Sequence, residues 1–274
     1  MIKEKSVRIQ NVSAAYSEAG SGNITLLLLH GNSLNRGFFK PLLEHPQLSE
    51  KFRMLAPDFP EHGDTTSGSD PLPHYTVQGL ASFTAEFAKR LIDGPLVLAG
   101  HSLGGHIAIQ ASPSVAGLKG LFAAATPPLT MQPQESSPFL NHPALPFLFT
   151  AELTEADAGL LADSFSSMKL PGVEEAILKT DPEFRSELGR SVQAGELSDE
   201  AEILNSLLFP AALALGEDDP LISRDYIESL QLQNLWKKQL QIIPGSGHSP
   251  QAETPVQFAA LLLDYLDPLN GDNP

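Results

Sequence analysis

Four short stretches hold residues that could do chemistry together. The first is Gly100-His101-Ser102-Leu103-Gly104, with another glycine at Gly105. It matches G-x-S-x-G, in which a serine stands on a sharp turn between strand and helix and lifts its hydroxyl above the sheet. Side chains at the glycine positions would clash with neighbouring backbone. A serine that only capped a helix would account for Ser102 but not for the three glycines around it. The amide of Leu103, first in the helix, points toward any oxygen that becomes negative.

A serine needs a base. In "IPGSGHSPQ", Ile243 to Gln251, His248 follows a strand that ends in glycines, near the C-terminus, where a chain ordered Ser, Asp, His places its base. In "LALGEDDPLI", Leu213 to Ile222, a strand is followed by Glu217, Asp218 and Asp219. One of them should accept the Nδ1 proton of His248 and stabilise the imidazolium. Asp219 is the first choice, because Pro220 holds the chain after it, and Asp218 the second. No carboxylate lies between Lys119 and Gln134, so the loop after the preceding strand cannot supply the acid. In "LLLLHGNSLN", a backbone amide at Asn32 would complete an oxyanion hole with Leu103. His30 reads as a structural histidine bracing that loop.

The other histidines carry less. His62, with Asp58, reads as loop architecture beside the site. His45, His74 and His142 are isolated, and His101 and His106 flank the serine turn. None forms a metal-binding pattern such as H-E-x-x-H, so no metal is predicted. "GHSLGG" lacks the P-loop lysine and the G-x-G-x-x-G spacing, which argues against a bound nucleotide. No cofactor is predicted.

These residues must be positioned by strands that end near one another. "SVRIQNVSAAY" reads as an edge strand, and the apolar run "ITLLLLH" as a strand buried on both faces. "FRMLAPDFP", "PLVLAG", "LKGLFAAAT", "PAALALG" and "KQLQIIP" are further strands. Between them lie helical patterns, among them Thr76 to Asp93, "SLGGHIAIQAS" and the closing "TPVQFAALLLDYL". Strands alternating with helices predict an α/β fold with a mainly parallel sheet covered on both faces. Four helical segments without a strand break the alternation, so 127–207 reads as a helical cap over a core made of 1–126 and 208–274. The tail Asp267–Pro274 is expected to be frayed.

The bulk numbers fit. The 274 residues are 42% hydrophobic and 18% charged, enough for a sizeable core. A net charge of −16 argues against nucleic acid and anionic membrane surfaces as partners. With no cysteine there is no disulfide and no thiol nucleophile. No apolar run approaches the ~20 residues of a membrane span, and the N-terminus has no signal-peptide pattern, so a cytoplasmic location is expected.

Together "HGNS", "APDFPEHGD", "GHSLGGHIAI", "GEDDP" and "GSGHSP" resemble the α/β-hydrolase family with a helical cap, over about residues 7–266. One departure is visible: Glu61 stands where the family usually has the first glycine of Pro-Gly-His-Gly. "HGNS", "ATPPL", "NLW" and "GHSP" are similar to the α/β-hydrolase type of N-acyl-homoserine lactone hydrolases. The resemblance implies Ser102 as nucleophile, His248 as base, Asp219 as acid where that group can carry glutamate, and Asn32 with Leu103 as oxyanion hole. It also implies an ester or lactone as small-molecule substrate. Phe139, Phe147 and Phe149 of the cap would then line an acyl channel, or else fasten cap to sheet. Perhydrolases, carbon–carbon bond hydrolases and non-catalytic receptors of this fold can share the same three residues. Dehalogenases and epoxide hydrolases use an aspartate nucleophile, so Ser102 argues against them.

Overall fold

The computed structural model describes residues 1–68 and 72–270. Eight strands form one sheet: β1 (Lys3–Ile9), β2 (Val12–Ala19), β3 (Ile24–Leu29), β4 (Phe52–Pro57), β5 (Leu96–His101), β6 (Leu118–Ala124), β7 (Ala212–Gly216) and β8 (Gln241–Ile243). Their order across the sheet is β1-β2-β4-β3-β5-β6-β7-β8. The β1–β2 and β2–β4 pairs are antiparallel and all others parallel. The single edge strand read from "SVRIQNVSAAY" is in fact a hairpin. Gln10 takes a positive φ of 53°, and the tight turn at Gln10-Asn11 folds the chain back on itself.

Helices cover both faces. Ahead of β5 come α1 (Lys40–Leu43), α2 (Pro46–Lys51) and α3 (Val77–Leu91), and α4 (Leu103–Ala111) follows β5. Between β6 and β7 lie a 3₁₀ turn (Leu145–Phe149) and α5 (Glu155–Phe165), α6 (Val173–Lys179), α7 (Pro182–Gln193) and α8 (Glu200–Ser206), with no strand among them. The chain closes with α9 (Arg224–Ser229), α10 (Pro250–Glu253) and α11 (Pro255–Asn270). The last helix runs through Asp267–Asn270, which were expected to fray, and 271–274 lie outside the described residues. Among the described residues no helix is long and apolar enough to cross a membrane.

The continuous apolar runs follow from burial on both sides. In β3, Leu27 and Leu29 enter the core shared with α3 and α4, while Leu26 and Leu28 enter the core shared with α1, α2 and α11. β5 alternates in the same way, with Leu96 and Leu98 against Val97 and Ala99.

Because β3 to β8 run parallel, their outgoing loops gather at one edge of the sheet, where open α/β folds build their sites. Backbone strain collects there too. Ser33, Glu61, Ser102 and Ala125 follow four different strands, and each has φ between 51° and 57°. Each such non-glycine residue costs about 1–2 kcal/mol, held in place by the packing around it. Glu61, the departure from the glycine, adopts the glycine-like conformation, and its carboxylate accepts the Ser67 amide.

Candidate active site

β5 delivers Ser102 onto a turn with φ 53° and ψ −119°, and α4 begins at the next residue. The turn works only with glycines around it. A Cβ on Gly100 would lie 2.1 Å from the Gly104 carbonyl oxygen, and one on Gly104 would lie 2.1 Å from the Leu29 carbonyl oxygen. Gly105 faces the side chain of Thr126, whose hydroxyl donates to the Ser102 carbonyl at 2.9 Å. Gly104→Ala should therefore lower stability by about 3 kcal/mol or prevent folding, since α4 must move off β3. Chemical denaturation reads this, and a shift below ~0.5 kcal/mol would contradict the packing.

The loops after β7 and β8 bring Asp219 and His248 together. His248 Nδ1 lies 2.9 Å from Asp219 Oδ2, and both side chains are almost fully buried. Oδ1 of the same carboxylate accepts the amides of Leu221 (2.9 Å) and Ile222 (3.1 Å). Burial pushes the Asp219 carboxyl up, but His248 and these amides outweigh it and hold it below its ordinary value. Asp218 and Glu217 face solvent. The carboxylate fixes His248 with its proton on Nδ1, which leaves Nε2 as the basic nitrogen.

The loop after β3 contributes Asn32, 5% exposed. Its Nδ2 donates one hydrogen to the Leu148 carbonyl at 2.9 Å and its Oδ1 accepts from the Ser33 hydroxyl at 2.8 Å. The second Nδ2 hydrogen and the backbone N–H of Asn32 are left for a substrate oxygen. The first amides of α4, Leu103 among them, have no intrahelical acceptor, as at every helix start. Asn32, Ser102 and Leu103 line one cavity of about 70 Å³ together with Phe139, Leu148 and Phe149. Phe147 does not line it and packs on the apolar core. A 3₁₀ turn has three residues per turn, so neighbouring side chains in Leu145–Phe149 point in different directions.

The bracing groups are histidines. The Phe59 amide donates to His30 Nε2 at 3.0 Å, and His30 Nδ1 donates to the Gly31 carbonyl at 2.8 Å, which ties the loop after β3 to the loop after β4. Burial holds His30 down at about 4, and burial together with His30 holds His62 at about 3. His62 sits among rings, 4.4 Å from Phe184 and 5.1 Å from His30 between centroids. Asp58 accepts the Arg36 and Asp64 amides, and burial raises its carboxyl despite the Arg36 guanidinium beside it.

Sequence reading missed several residues. His101 Nε2 donates to the His248 carbonyl at 2.8 Å, and Phe165 stacks on the His248 ring at 5.9 Å. Glu253 accepts the amides on both sides of His248, Gly247 (3.2 Å) and Ser249 (2.9 Å), and also the Ser167 hydroxyl. His106 Nδ1 lies 2.8 Å from Glu200 Oε2, a carboxylate from the helical excursion. No local signal marks Glu200, which reads as ordinary first-turn acid in α8. "NLW" lies elsewhere: Asn234 holds the carbonyls of Leu207 and Phe209, and Trp236 packs on Tyr265. Among the described residues no group of three His, Asp or Glu side chains is arranged to hold a metal ion.

The fold and this loop cluster are those of a family of hydrolases. Residues 26–261 match the alpha/beta hydrolase family, and the chain belongs to it. It is a hydrolase acting on esters. Among solved structures it is similar to a variant of the N-acyl homoserine lactonase AidH complexed with N-hexanoyl homoserine. That similarity has a TM-score of 0.91 at 27% identity, over 97% of this chain and 96% of the other. Among curated proteins it is 27% identical to the pimeloyl-[acyl-carrier protein] methyl ester esterase of Stenotrophomonas maltophilia (strain R551-3), over 90% of this chain and 95% of that one. A thermophilic esterase from Thermogutta terrifontis shares the fold, with a TM-score of 0.76 at 20% identity over 98% and 100% of the two chains.

Proposed function

We propose that this chain is a serine hydrolase that opens lactones through an acyl-enzyme, with N-acyl-homoserine lactones as the favoured substrates. The observation that carries the reading is the buried Asp219–His248 pair, at the same sheet edge as Ser102 on its strained turn. The similarity to the lactonase, at a TM-score of 0.91, supports the choice of substrate.

In this mechanism Ser102 Oγ attacks the carbonyl while His248 Nε2 takes its proton. The oxyanion rests on the amides of Asn32 and Leu103. His248 then returns the proton to the leaving alkoxide. In a lactone that alcohol stays tethered to the acyl group, so product departs only after His248 activates water for the second step. Asp219 remains ionised and stabilises the imidazolium.

Segment 127–207 acts as the cap in this reading, and Phe139 and Phe149 form the wall for the acyl chain. The cavity of about 70 Å³ is small for a six-carbon chain, so these side chains are expected to give way as one enters. Asn32 ties the cap to the β3 loop through Leu148, so cap position and oxyanion hole are linked.

The test is turnover of a panel followed by mass spectrometry. It holds N-acyl-homoserine lactones of several lengths, methyl esters of fatty acids and aryl esters. Chain-length-dependent lactone opening is expected. Methyl ester cleavage without lactone opening would support a second reading, a methyl ester esterase, which the similarity to the Stenotrophomonas maltophilia protein favours.

Glu253→Ala should lower kcat about tenfold with little change in KM, because the amides around His248 lose their shared acceptor while the acyl wall is untouched. An unchanged kcat would show that the His248 loop holds its place without Glu253.

A further inference from the structure

We infer that His106, held by Glu200, recognises an amide group on the α-carbon of the ester, so that N-acylated amino esters and lactones are preferred over plain alkyl ones. The inference rests on the hydrolase reading of the same site. It adds a recognition residue that the Ser102 chemistry does not require.

The cavity beside Ser102 is apolar apart from a few groups, and among the described residues its only titratable side chains are His106 and Glu200. Glu200 is fully buried. Its Oε2 accepts from His106 Nδ1 and from the Leu129 amide, both at 2.8 Å, and its Oε1 accepts from Gln110 Nε2 at 3.3 Å. A buried carboxylate so held keeps the proton of His106 on Nδ1, the same device that orients His248. Nε2 makes no hydrogen bond to a described residue and is not sealed off. The side chain is 11% exposed and lines the cavity, so Nε2 is left as an acceptor for whatever enters.

Position specifies the ligand. His106 follows Ser102 by four residues, its amide donates to the Ser102 carbonyl at 3.3 Å, and both residues line the cavity. An acceptor one turn along the chain from the nucleophile meets a hydrogen carried two or three bonds from the attacked carbonyl carbon. An N–H on the α-carbon meets that requirement. A plain alkyl chain puts a methylene there and leaves Nε2 unpartnered in an apolar space, which binding does not repay. Beyond the amide, the chain runs against Phe139, Phe149, Leu188 and Val192.

The experiment compares kcat/KM within two length-matched pairs. One pair is methyl N-hexanoylglycinate and methyl nonanoate. The other is N-hexanoyl homoserine lactone and α-heptyl-γ-butyrolactone. The readout is the ratio of amide-bearing to all-carbon substrate. His106→Phe is expected to lower that ratio about tenfold in each pair the enzyme turns over. Since His106→Phe strands the Glu200 carboxylate, the double variant His106→Phe/Glu200→Gln is measured beside it, with the same drop expected. Equal losses on both members of a pair, or no loss on either, would overturn the inference and leave the His106–Glu200 pair as a fastener of cap to core. Wild-type turnover of the methyl esters but of neither lactone would sink the lactone reading, while the ester ratio still decides for or against His106. No turnover of any of the four would overturn both.

Discussion

Ser102→Ala should lower turnover on the best substrate about a million-fold while ligand binding persists. The change removes only the hydroxyl. The oxyanion amides and the cavity wall stay in place, and residual catalysis of about a thousand-fold over water is expected from them. Asp219→Asn should cost about 10⁴ in kcat, because an amide at the end of Oδ2 favours the wrong tautomer of His248. Mass-spectrometric turnover and calorimetric binding of the same substrate read the two halves of the prediction. A Ser102→Ala protein that keeps wild-type rates would end the nucleophile assignment. The strained turn adds a second readout. At φ 53° a Cβ is unfavourable, so Ser102→Gly should be inactive yet more stable than wild type by about 1 kcal/mol. The serine is retained against local backbone preference, as expected where chemistry needs the side chain.

The second large effect is acid unfolding well above the carboxylate range. His30, His62 and His101 are buried neutral, and burial comes first among the causes that lower them to about 4, 3 and 3. In the unfolded chain each imidazole takes up a proton near pH 6.5. Below that pH the unfolded state therefore binds up to three more protons than the folded one. Stability is complete above about pH 7 and falls as the pH drops, by about 4 kcal/mol per unit once all three titrate. At pH 5 the accumulated loss is about 6 kcal/mol, comparable to the whole stability of many domains. Asp219, whose carboxyl is lowered, adds to the loss only near pH 4, and Asp58, whose carboxyl is raised, opposes it there. Urea titrations from pH 8 to pH 5 should show the decline, and His62→Phe should reduce the slope by about a third. Stability that stays level down to pH 4.5 would mean that these histidines are protonated in the folded protein.

Much of this protein is legible in the sequence because strong local rules apply. "ITLLLLH" has to be a strand with two buried faces, and a serine among Gly100, Gly104 and Gly105 has to sit on a tight turn, since each glycine leaves room for another segment. The order of strands and helices then implies a parallel sheet, and so a common edge for the loops that carry Asn32, Ser102, Asp219 and His248. Strand ends are set by composition, so residues just beyond them can be found without coordinates.

The tertiary structure decided what composition leaves open. Glu217, Asp218 and Asp219 are chemically alike, and only the approach of the β7 and β8 loops selects the carboxylate that meets His248. Phe147 and Phe149 are the same residue type two positions apart, and the 3₁₀ turn sends one to the core and the other to the cavity. Glu61 was the one departure from the glycine pattern, and packing holds it in the conformation that glycine adopts freely. His106 and Glu200 lie 94 residues apart and meet because the helical excursion folds back over α4. Periodicity and turn chemistry act over a few residues, so they place elements and the residues at their ends. Which side chains meet across the sheet edge depends on the summed packing of distant segments, which no local pattern encodes.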